Sequence, residues 1–198
     1  MFGAPGRRAV EAQLPGLREE LAVDFCIVNG ENAADGRGIT AKISERILAA
    51  GADVITLGNW VWGQQGFGPY LSGSDRVIRL ANLSPSSPGR GLVVHDGVAV
   101  INLLGQMTLT PFESAFVAAD RLVEEARRET PVVVVDFHAE ATSEKVALAR
   151  YLDGRVTAVL GTLLDLAKVE TQTLAKYTND SGNHVLVEVH AAATLAIR

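Results

Sequence analysis

The sequence predicts an α/β fold in which a layered sheet core is flanked by helices. Runs such as Val132 to Val135 consist entirely of β-branched residues, which is typical of parallel strands buried on both faces. Between these runs lie segments with apolar residues every three or four positions, the pattern of an amphipathic helix. Three of the strand runs also end in short polar segments. Since the carboxyl ends of parallel strands meet at one edge of a sheet, those segments are candidates for a shared site.

The first part of the chain predicts two helices and two strands. Apolar spacing predicts a helix over residues 7–22, with Pro15 at a boundary or a kink. A strand at 24–28 is followed by a second helix that begins at Thr40, whose hydroxyl can cap the first turn. A strand at 53–57 then completes a strand-helix-strand unit, which is expected to have a right-handed crossover.

The middle of the chain predicts a loop, a hairpin and a long helix. Residues 79–90 contain two prolines and three serines and are expected to form a loop. Residues 91–102 are expected to form a β-hairpin that turns at Asp96 and Gly97, a dipeptide suited to positive φ. Residues 111–128 form the clearest amphipathic pattern, with apolar residues on one face and charges on the opposite face.

The last third of the chain continues the alternation of strands and helices up to Thr162 and then departs from it. A strand at 131–135 leads to a helix at 143–152 that opens in a capping arrangement, and a buried strand follows at 155–160. Beyond Thr162 the spacing indicates a helix, then a turn, then an alternating strand at 185–189. This tail is expected to diverge from the pattern of the preceding residues.

Composition and charge indicate a folded domain and exclude several classes of partner. The chain has 198 residues, of which 47% are hydrophobic and 21% are charged, values that are ordinary for a globular protein. We expect a single domain over residues 1–198, because no repeat or linker interrupts it. The net charge of −5 offers no clustered positive surface for duplex nucleic acid or an anionic membrane.

Cysteine use and the lack of long apolar segments predict a cytoplasmic protein. The one cysteine, Cys26, lies in an apolar run and is expected to be a buried free thiol, which suits a reducing compartment. The first eight residues lack the apolar stretch of a signal peptide. No segment reaches the roughly 18 consecutive apolar residues of a membrane span.

The polar segments after three strands combine residue types that bind divalent metal ions. Glu31 and Asn32 follow the first strand, Asn59 follows the second, and His138 follows the strand at 131–135. A carboxylate neutralises charge, an amide oxygen completes the coordination sphere and an imidazole adds affinity, a set that suits manganese or iron. Each residue also has an ordinary structural explanation, since Gly-Asn is a common turn dipeptide and histidines near strand ends are often structural.

Four blocks of sequence occur in the same order in one known family. They are Asn29 to Ala34 (NGENAA), Thr56 to Asn59 (TLGN), Ile101 to Gly105 (INLLG) and Asp136 to Lys145 (DFHAEATSEK). In these blocks the chain closely resembles the YmdB-like metallophosphoesterases, bacterial enzymes of the calcineurin-type superfamily that hydrolyse 2′,3′-cyclic nucleotides at a dinuclear metal centre. The resemblance implies a metallophosphoesterase-like fold, a small nucleotide or phosphodiester substrate, and a divalent metal such as iron, manganese or magnesium.

The resemblance implies four metal ligands and leaves a fifth open. Glu31, Asn32, Asn59 and His138 match ligands of the family. Asp165 stands near a position where the family has a histidine ligand, and it is either a substitute ligand or a carboxylate that interacts with a helix dipole. Because other ligands are missing, we expect weak binding of a single ion.

Departures from the family pattern predict impaired catalysis. Trp60 occupies the position of the family's proton-donating histidine, and an indole cannot act as that acid. Leu163 stands where the family has a further histidine ligand. Two functions therefore stay open, a phosphodiesterase of low activity and a catalytically silent binding or regulatory module. Trp60 and Trp62 either stack on a nucleobase or pack at the mouth of the site.

The amino terminus also differs from the family pattern. Met1 falls just after the position of the family's first strand and its aspartate ligand, as a start site placed too late would produce. We therefore expect an unpaired position in the sheet. Backbone groups exposed at such an edge favour association with another chain, which predicts a homo-oligomer.

Overall fold

A computed structural model of the chain describes residues 1–162 and, as backbone, three later strands at Ala175–Thr178, His184–Val187 and Thr194–Ile197. Two compact units divide the chain between them. The first unit contains Met1–Arg79, Pro88–Arg90 and Ala192–Arg198, and the second contains Leu80–Ser87 and Gly91–Ala191.

Five α-helices and ten β-strands lie within the described residues. The helices are α1 (Gly3–Glu20), α2 (Ala41–Ala49), α3 (Phe67–Gly73), α4 (Ala115–Arg127) and α5 (Thr142–Tyr151). The strands are β1 (Phe25–Asn29), β2 (Val54–Thr56), β3 (Val77–Ile78), β4 (Leu92–His95), β5 (Val98–Leu104), β6 (Val132–His138), β7 (Ala158–Thr162), β8 (Ala175–Thr178), β9 (His184–Val187) and β10 (Thr194–Ile197). Parallel strands with helices between them confirm the predicted α/β fold.

The sheet of the first unit has the strand order β10-β1-β2-β3. Strands β1, β2 and β3 run parallel, and Asn29 at the end of β1 pairs with Thr56 at the end of β2. β10 pairs with β1 in the antiparallel direction, with Phe25 opposite Ile197. The prediction of an unpaired position beside β1 was therefore wrong, because β10 occupies that position. Strand β1 has no free edge that would favour a homo-oligomer.

Helix α1 is longer than predicted and contains Pro15 in its interior rather than at a boundary. A proline in a helix lacks the N–H that would donate to the carbonyl four residues earlier, which weakens the helix locally. Contacts on either side of this position hold the helix in place. Leu14 is buried, and the Arg18 guanidinium forms an ion pair with Asp53, the residue before β2. Tertiary packing here overrides the local propensity of proline.

Thr40 caps helix α2, as predicted, because its side-chain oxygen accepts a hydrogen bond from the backbone N–H of Ile43 at 3.3 Å. We expect Thr40→Ala to lower the free energy of unfolding by about 1 kcal/mol, since this N–H loses its acceptor. Chemical denaturation measures the change. Thr40→Ser keeps the hydroxyl, so its free energy of unfolding is expected to fall much less. Equal losses in the two variants would show that the Thr40 methyl group, not the hydroxyl, provides the stability.

The sheet of the second unit has the strand order β4-β5-β6-β7. Strands β4 and β5 form the predicted hairpin, whose turn places Asp96 at φ 45° and Gly97 at φ 77°. Positive φ at both central residues gives the turn a twist that matches the strands. Strands β5, β6 and β7 are parallel, and β6 extends past the predicted end at residue 135 to His138, which pairs with Thr162.

Helix α5 begins at Thr142, and the expected capping arrangement is absent: the N-cap residue is Ala141, with no side-chain cap bond. The Glu144 carboxylate instead accepts a hydrogen bond from the backbone N–H of Gln106 at 2.7 Å. Glu144 therefore ties the first turn of α5 to the segment that follows β5. Helices α4 and α5 share one apolar core with β5 and β6, in which Phe137 and Leu148 are fully buried.

Predictions for the tail are tested only in part. The helix expected after Thr162 and the candidate ligand Asp165 lie outside the described residues. The strand predicted at 185–189 is present as β9, which pairs antiparallel with β8. Across the described ranges, no helix combines the length and apolar composition that crossing a membrane would require.

Cys26 is fully buried in β1, as predicted, and is the one cysteine of the chain. Burial raises the pKa of its thiol to about 12, and the negative charge of Asp53 adds to this effect. The thiol is therefore protonated at neutral pH. Since the thiolate is the reactive form, Cys26 is unsuited to nucleophilic catalysis.

Candidate functional site

A buried carboxylate lies just beyond the carboxyl end of β1. Glu31 is only 2% exposed, although it belongs to a loop. Its carboxylate accepts a hydrogen bond from the backbone N–H of Trp60 at 3.0 Å and another from the side-chain amide of Asn32 at 3.3 Å. The backbone N–H of Glu31 donates to the side-chain oxygen of Asn29 at 3.2 Å. These bonds fix the orientation of the carboxylate at the edge where β1 and β2 end.

Two glycines allow close packing where β1 and β2 end, one of them directly against this carboxylate. A Cβ at Gly58 would overlap the carboxyl group of Glu31. A Cβ at Gly30 would lie 2.8 Å from a methyl group of Ile55 and 2.9 Å from one of Ile39, closer than side chains approach. Both glycines belong to sequence blocks that carry the family resemblance, and this packing gives a physical reason for them.

The loop after β2 presents polar backbone inward and aromatic side chains outward. Asn59 is exposed, and the next residue, Trp60, directs its backbone N–H to Glu31. The side chains of Trp60 and Trp62 are 41% and 46% exposed, so neither ring is buried. Of the two, Trp60 is the residue whose backbone contacts the buried carboxylate, so its exposed ring lies in the loop that borders Glu31.

In the second unit, His138 ends β6 and is only 1% exposed. The Thr162 hydroxyl donates to the carboxylate of Asp136 at 2.7 Å and lies 3.4 Å from Nδ1 of His138. Because the hydroxyl proton is directed to Asp136, we infer that the Thr162 oxygen accepts from Nδ1–H of His138. This tautomer leaves the lone pair on Nε2, and a histidine that ligates a metal through one nitrogen usually donates from the other.

The protonation state of His138 also suits a metal ligand. Burial, together with a smaller contribution from the positive charge of Lys145, lowers the pKa of His138 to about 3. The imidazole is therefore neutral at pH 7, and a neutral ring nitrogen can bind a cation without first releasing a proton.

The two units contain different parts of the predicted site. The first unit brings together Glu31, Asn32 and the loop that carries Asn59. The second unit holds His138. That these two groups share an ion remains a prediction, and Asp165 is not among the described residues.

Two charged residues without a predicted role are buried near the carboxyl ends of β5 and β7. Lys145 is 3% exposed and Glu144 is 7% exposed. A Cβ at Gly161 would lie 2.6 Å from Cδ of Lys145, and one at Gly105 would lie 2.5 Å from a carboxylate oxygen of Glu144. Buried lysines are rare. The position of Glu144 and Lys145 at the end of the DFHAEATSEK block was the one sequence signal that pointed to these two residues.

Because Lys145 is buried, we expect the stability of the chain to depend on pH in an unusual way. Burial lowers the pKa of its ammonium group from the ordinary value of 10.5. The unfolded chain therefore binds the proton more tightly, so stability rises with pH between the lowered pKa and about 10.5. We expect Lys145→Met to raise the free energy of unfolding by about 1 kcal/mol at pH 7, because the desolvated charge is removed.

Denaturation curves at pH 7 and pH 10.5 test this prediction. The gain from Lys145→Met is expected to shrink at the higher pH, where the native lysine loses its charge. Lys42→Met makes the same change at an exposed position of α2 and should stay within about 0.5 kcal/mol of the unmodified chain. A loss of stability in Lys145→Met at both pH values would contradict the prediction.

Comparison with known proteins agrees with the four sequence blocks and the α/β fold. The sequence model of the YmdB-like protein family matches residues 1–179. A Bacillus subtilis protein, named as a 2′,3′-cyclic-nucleotide 2′-phosphodiesterase, is 42% identical over 182 residues. That match covers 90% of this chain and 69% of the relative.

Two solved structures share the fold at similar coverage. A hypothetical protein from Thermus thermophilus has a TM-score of 0.80 and 37% identity, over 94% of this chain and 72% of that one. A protein described as a novel phosphatase from Mycoplasma pneumoniae has a TM-score of 0.80 and 28% identity, over 95% of this chain and 69% of that one. By sequence blocks, family match and fold, this chain belongs to the YmdB-like protein family.

Proposed function

We propose that this chain is a metal-dependent phosphodiesterase that acts on 2′,3′-cyclic nucleotides, the substrate class in the name of the Bacillus relative. The proposed metal ligands are Glu31, Asn32, Asn59, His138 and Asp165. One observation carries the proposal, the buried carboxylate of Glu31 oriented by the N–H groups of Trp60 and Asn32 at the carboxyl end of β1. An oriented carboxylate beside amide oxygens is the kind of site that binds divalent cations.

The chemistry of the donors fits such a cation. Glu31 offers an anionic oxygen, and Asn32 offers a carbonyl oxygen because its NH₂ group donates to Glu31. His138 offers a neutral nitrogen, since burial keeps its pKa far below 7. An imidazole in the set favours manganese or iron over magnesium, which prefers oxygen ligands and water. With few anionic ligands, we expect a single, weakly bound ion.

The residues of the chain would position this chemistry. A divalent cation held there would supply Lewis-acid activation of a phosphodiester. Glu31 would balance its charge, while the backbone N–H of Trp60 fixes the Glu31 carboxylate and the Thr162 hydroxyl orients the ring of His138. The N–H of the Trp60 indole is far too weak an acid to protonate the leaving alkoxide at neutral pH, so water would have to provide that proton. We therefore expect slow turnover.

Metal analysis and hydrolysis measured together test the proposal. The purified chain is expected to bind manganese, as measured by elemental analysis after dialysis, and to hydrolyse 2′,3′-cyclic AMP faster when manganese is added. Glu31→Gln removes the anionic ligand at constant volume and should abolish both properties. Glu20→Gln makes the same change at an exposed position of α1 and should preserve them.

Two results would overturn the proposal in different ways. If the chain binds manganese but shows no manganese-dependent hydrolysis, the chain is a silent binding module of the same fold. If Glu31→Gln binds manganese as well as the unmodified chain does, Glu31 is not a ligand and the proposed site is wrong.

A further inference from the structure

The Trp60 side chain packs against the guanidinium group of Arg37. The guanidinium carbon of Arg37 lies over the Trp60 ring, 5.0 Å from the ring centroid, which is a cation–π arrangement. Arg37 is exposed and Trp60 remains 41% exposed. An indole and a guanidinium plane are therefore paired at the surface. The indole belongs to the residue that directly follows Asn59.

The backbone holds these two side chains in place. Gly38 has φ +72°, and a Cβ there would lie 2.8 Å from the Trp60 carbonyl oxygen. A Cβ at Gly63 would lie 2.9 Å from the same oxygen and 3.0 Å from the carbonyl carbon of Arg37. The Gln64 side chain also donates to the Arg37 carbonyl at 2.6 Å. Close contact between the two loops, permitted by glycine, fixes the spacing of Arg37 and Trp60.

We propose that Trp60, paired with Arg37, is a stacking platform for the base of a bound nucleotide. Every nucleobase presents a π-face that stacks on aromatic side chains, and an arginine adds a cation–π contribution. The same residue that presents the ring also binds Glu31 through its backbone N–H, at 3.0 Å. A base on this platform would therefore be held next to the carboxylate. The platform deepens the proposed function, on which the identity of its ligand rests.

Base dependence of binding tests this proposal separately from hydrolysis. The probe is adenosine 3′-monophosphate, which diester hydrolysis does not consume, and ribose 5-phosphate is the comparison without a base. We expect Trp60→Leu to bind adenosine 3′-monophosphate roughly 5- to 150-fold more weakly by calorimetry, with ribose 5-phosphate unaffected. Trp60→Phe keeps an aromatic face and should retain most of the affinity. Trp62→Leu serves as the matched control and should bind normally.

Fluorescence gives a second readout, since the chain has only two tryptophans. In Trp62→Phe the emission comes from Trp60 alone, and adenosine 3′-monophosphate is expected to quench it while ribose 5-phosphate does not. Equal affinity in Trp60→Leu and the unmodified chain, or equal loss in Trp62→Leu, would overturn the proposal. Base-dependent binding without hydrolysis of 2′,3′-cyclic AMP would uphold the platform while the proposed activity fails.

Discussion

Replacing Trp60 by histidine is expected to raise kcat for 2′,3′-cyclic AMP about 10²- to 10⁴-fold, the usual contribution of a positioned general acid. The resemblance places a proton-donating histidine at this position, and the backbone N–H there binds Glu31 at 3.0 Å. Since the Trp60 side chain is partly exposed, an imidazole fits in the space of the indole without a buried void. The backbone contact to Glu31 does not depend on the side chain.

The change should raise both kcat and KM. Trp60→His supplies an acid but offers a smaller aromatic face, so KM is expected to rise while kcat rises more. The donor must be protonated, and a histidine has an ordinary pKa near 6.5, so the gain should decline as pH rises above about 6.5.

Initial rates from pH 5.5 to 8.5 at saturating manganese measure both effects. Trp62→His places the same group two residues away and should leave kcat unchanged. If Trp60→His retains manganese but gains no activity, proton donation does not limit this chain.

Local features of the fold were predictable because short-range physics determines them. The β-branched runs became parallel strands, Asp96 and Gly97 formed the hairpin turn, and the Thr40 hydroxyl capped α2. Each depends on a few consecutive residues whose φ preferences or hydrogen bonds decide the outcome. The position of Glu31 and Asn32 after a buried strand was visible for the same reason.

Features that depend on distant residues were not predictable. β10 pairs with β1 across more than 150 residues of sequence, and no local pattern at 194–197 specifies that partner. Strand β6 continues through Asp136 because the Thr162 hydroxyl satisfies its carboxylate at 2.7 Å. From sequence, a carboxylate at that point indicates the end of a strand, since a buried charge without a partner is costly. Helix α3 and strand β3 are too short to show a period.

The same distinction applies to the site. Residue types identified Glu31, Asn59 and His138 as candidates, but no pattern of charges reveals the Trp60 backbone N–H that orients Glu31 or the Thr162 hydroxyl that orients His138. The bond from Trp60 N–H to Glu31 joins two loops, and the burial of Lys145 arises where α5 meets β7. These contacts exist only after the strands have set the loops side by side.

Gly58→Ala is expected to weaken manganese binding about 10- to 100-fold while the chain stays folded, the usual cost of disturbing a group that orients a ligand. A Cβ at Gly58 would overlap the carboxyl group of Glu31. Because the overlapping atoms are the end of a flexible side chain, the carboxylate moves and the backbone does not. The displaced carboxylate also loses the hydrogen bond from Trp60 N–H. Calorimetric titration with manganese measures the affinity, and circular dichroism on heating shows whether the variant stays folded.

Gly16→Ala is the matched control, because it adds the same methyl group in helix α1 where nothing lies within 4 Å. Alanine is favoured over glycine inside a helix, so this variant should gain roughly 0.5–1 kcal/mol of stability and bind manganese normally. If Gly58→Ala unfolds, Glu31→Gln removes the charge without added volume and should weaken manganese binding at least as much. Unchanged manganese affinity in a folded Gly58→Ala would mean that the orientation of the Glu31 carboxylate, and hence Glu31 itself, plays no part in holding the ion.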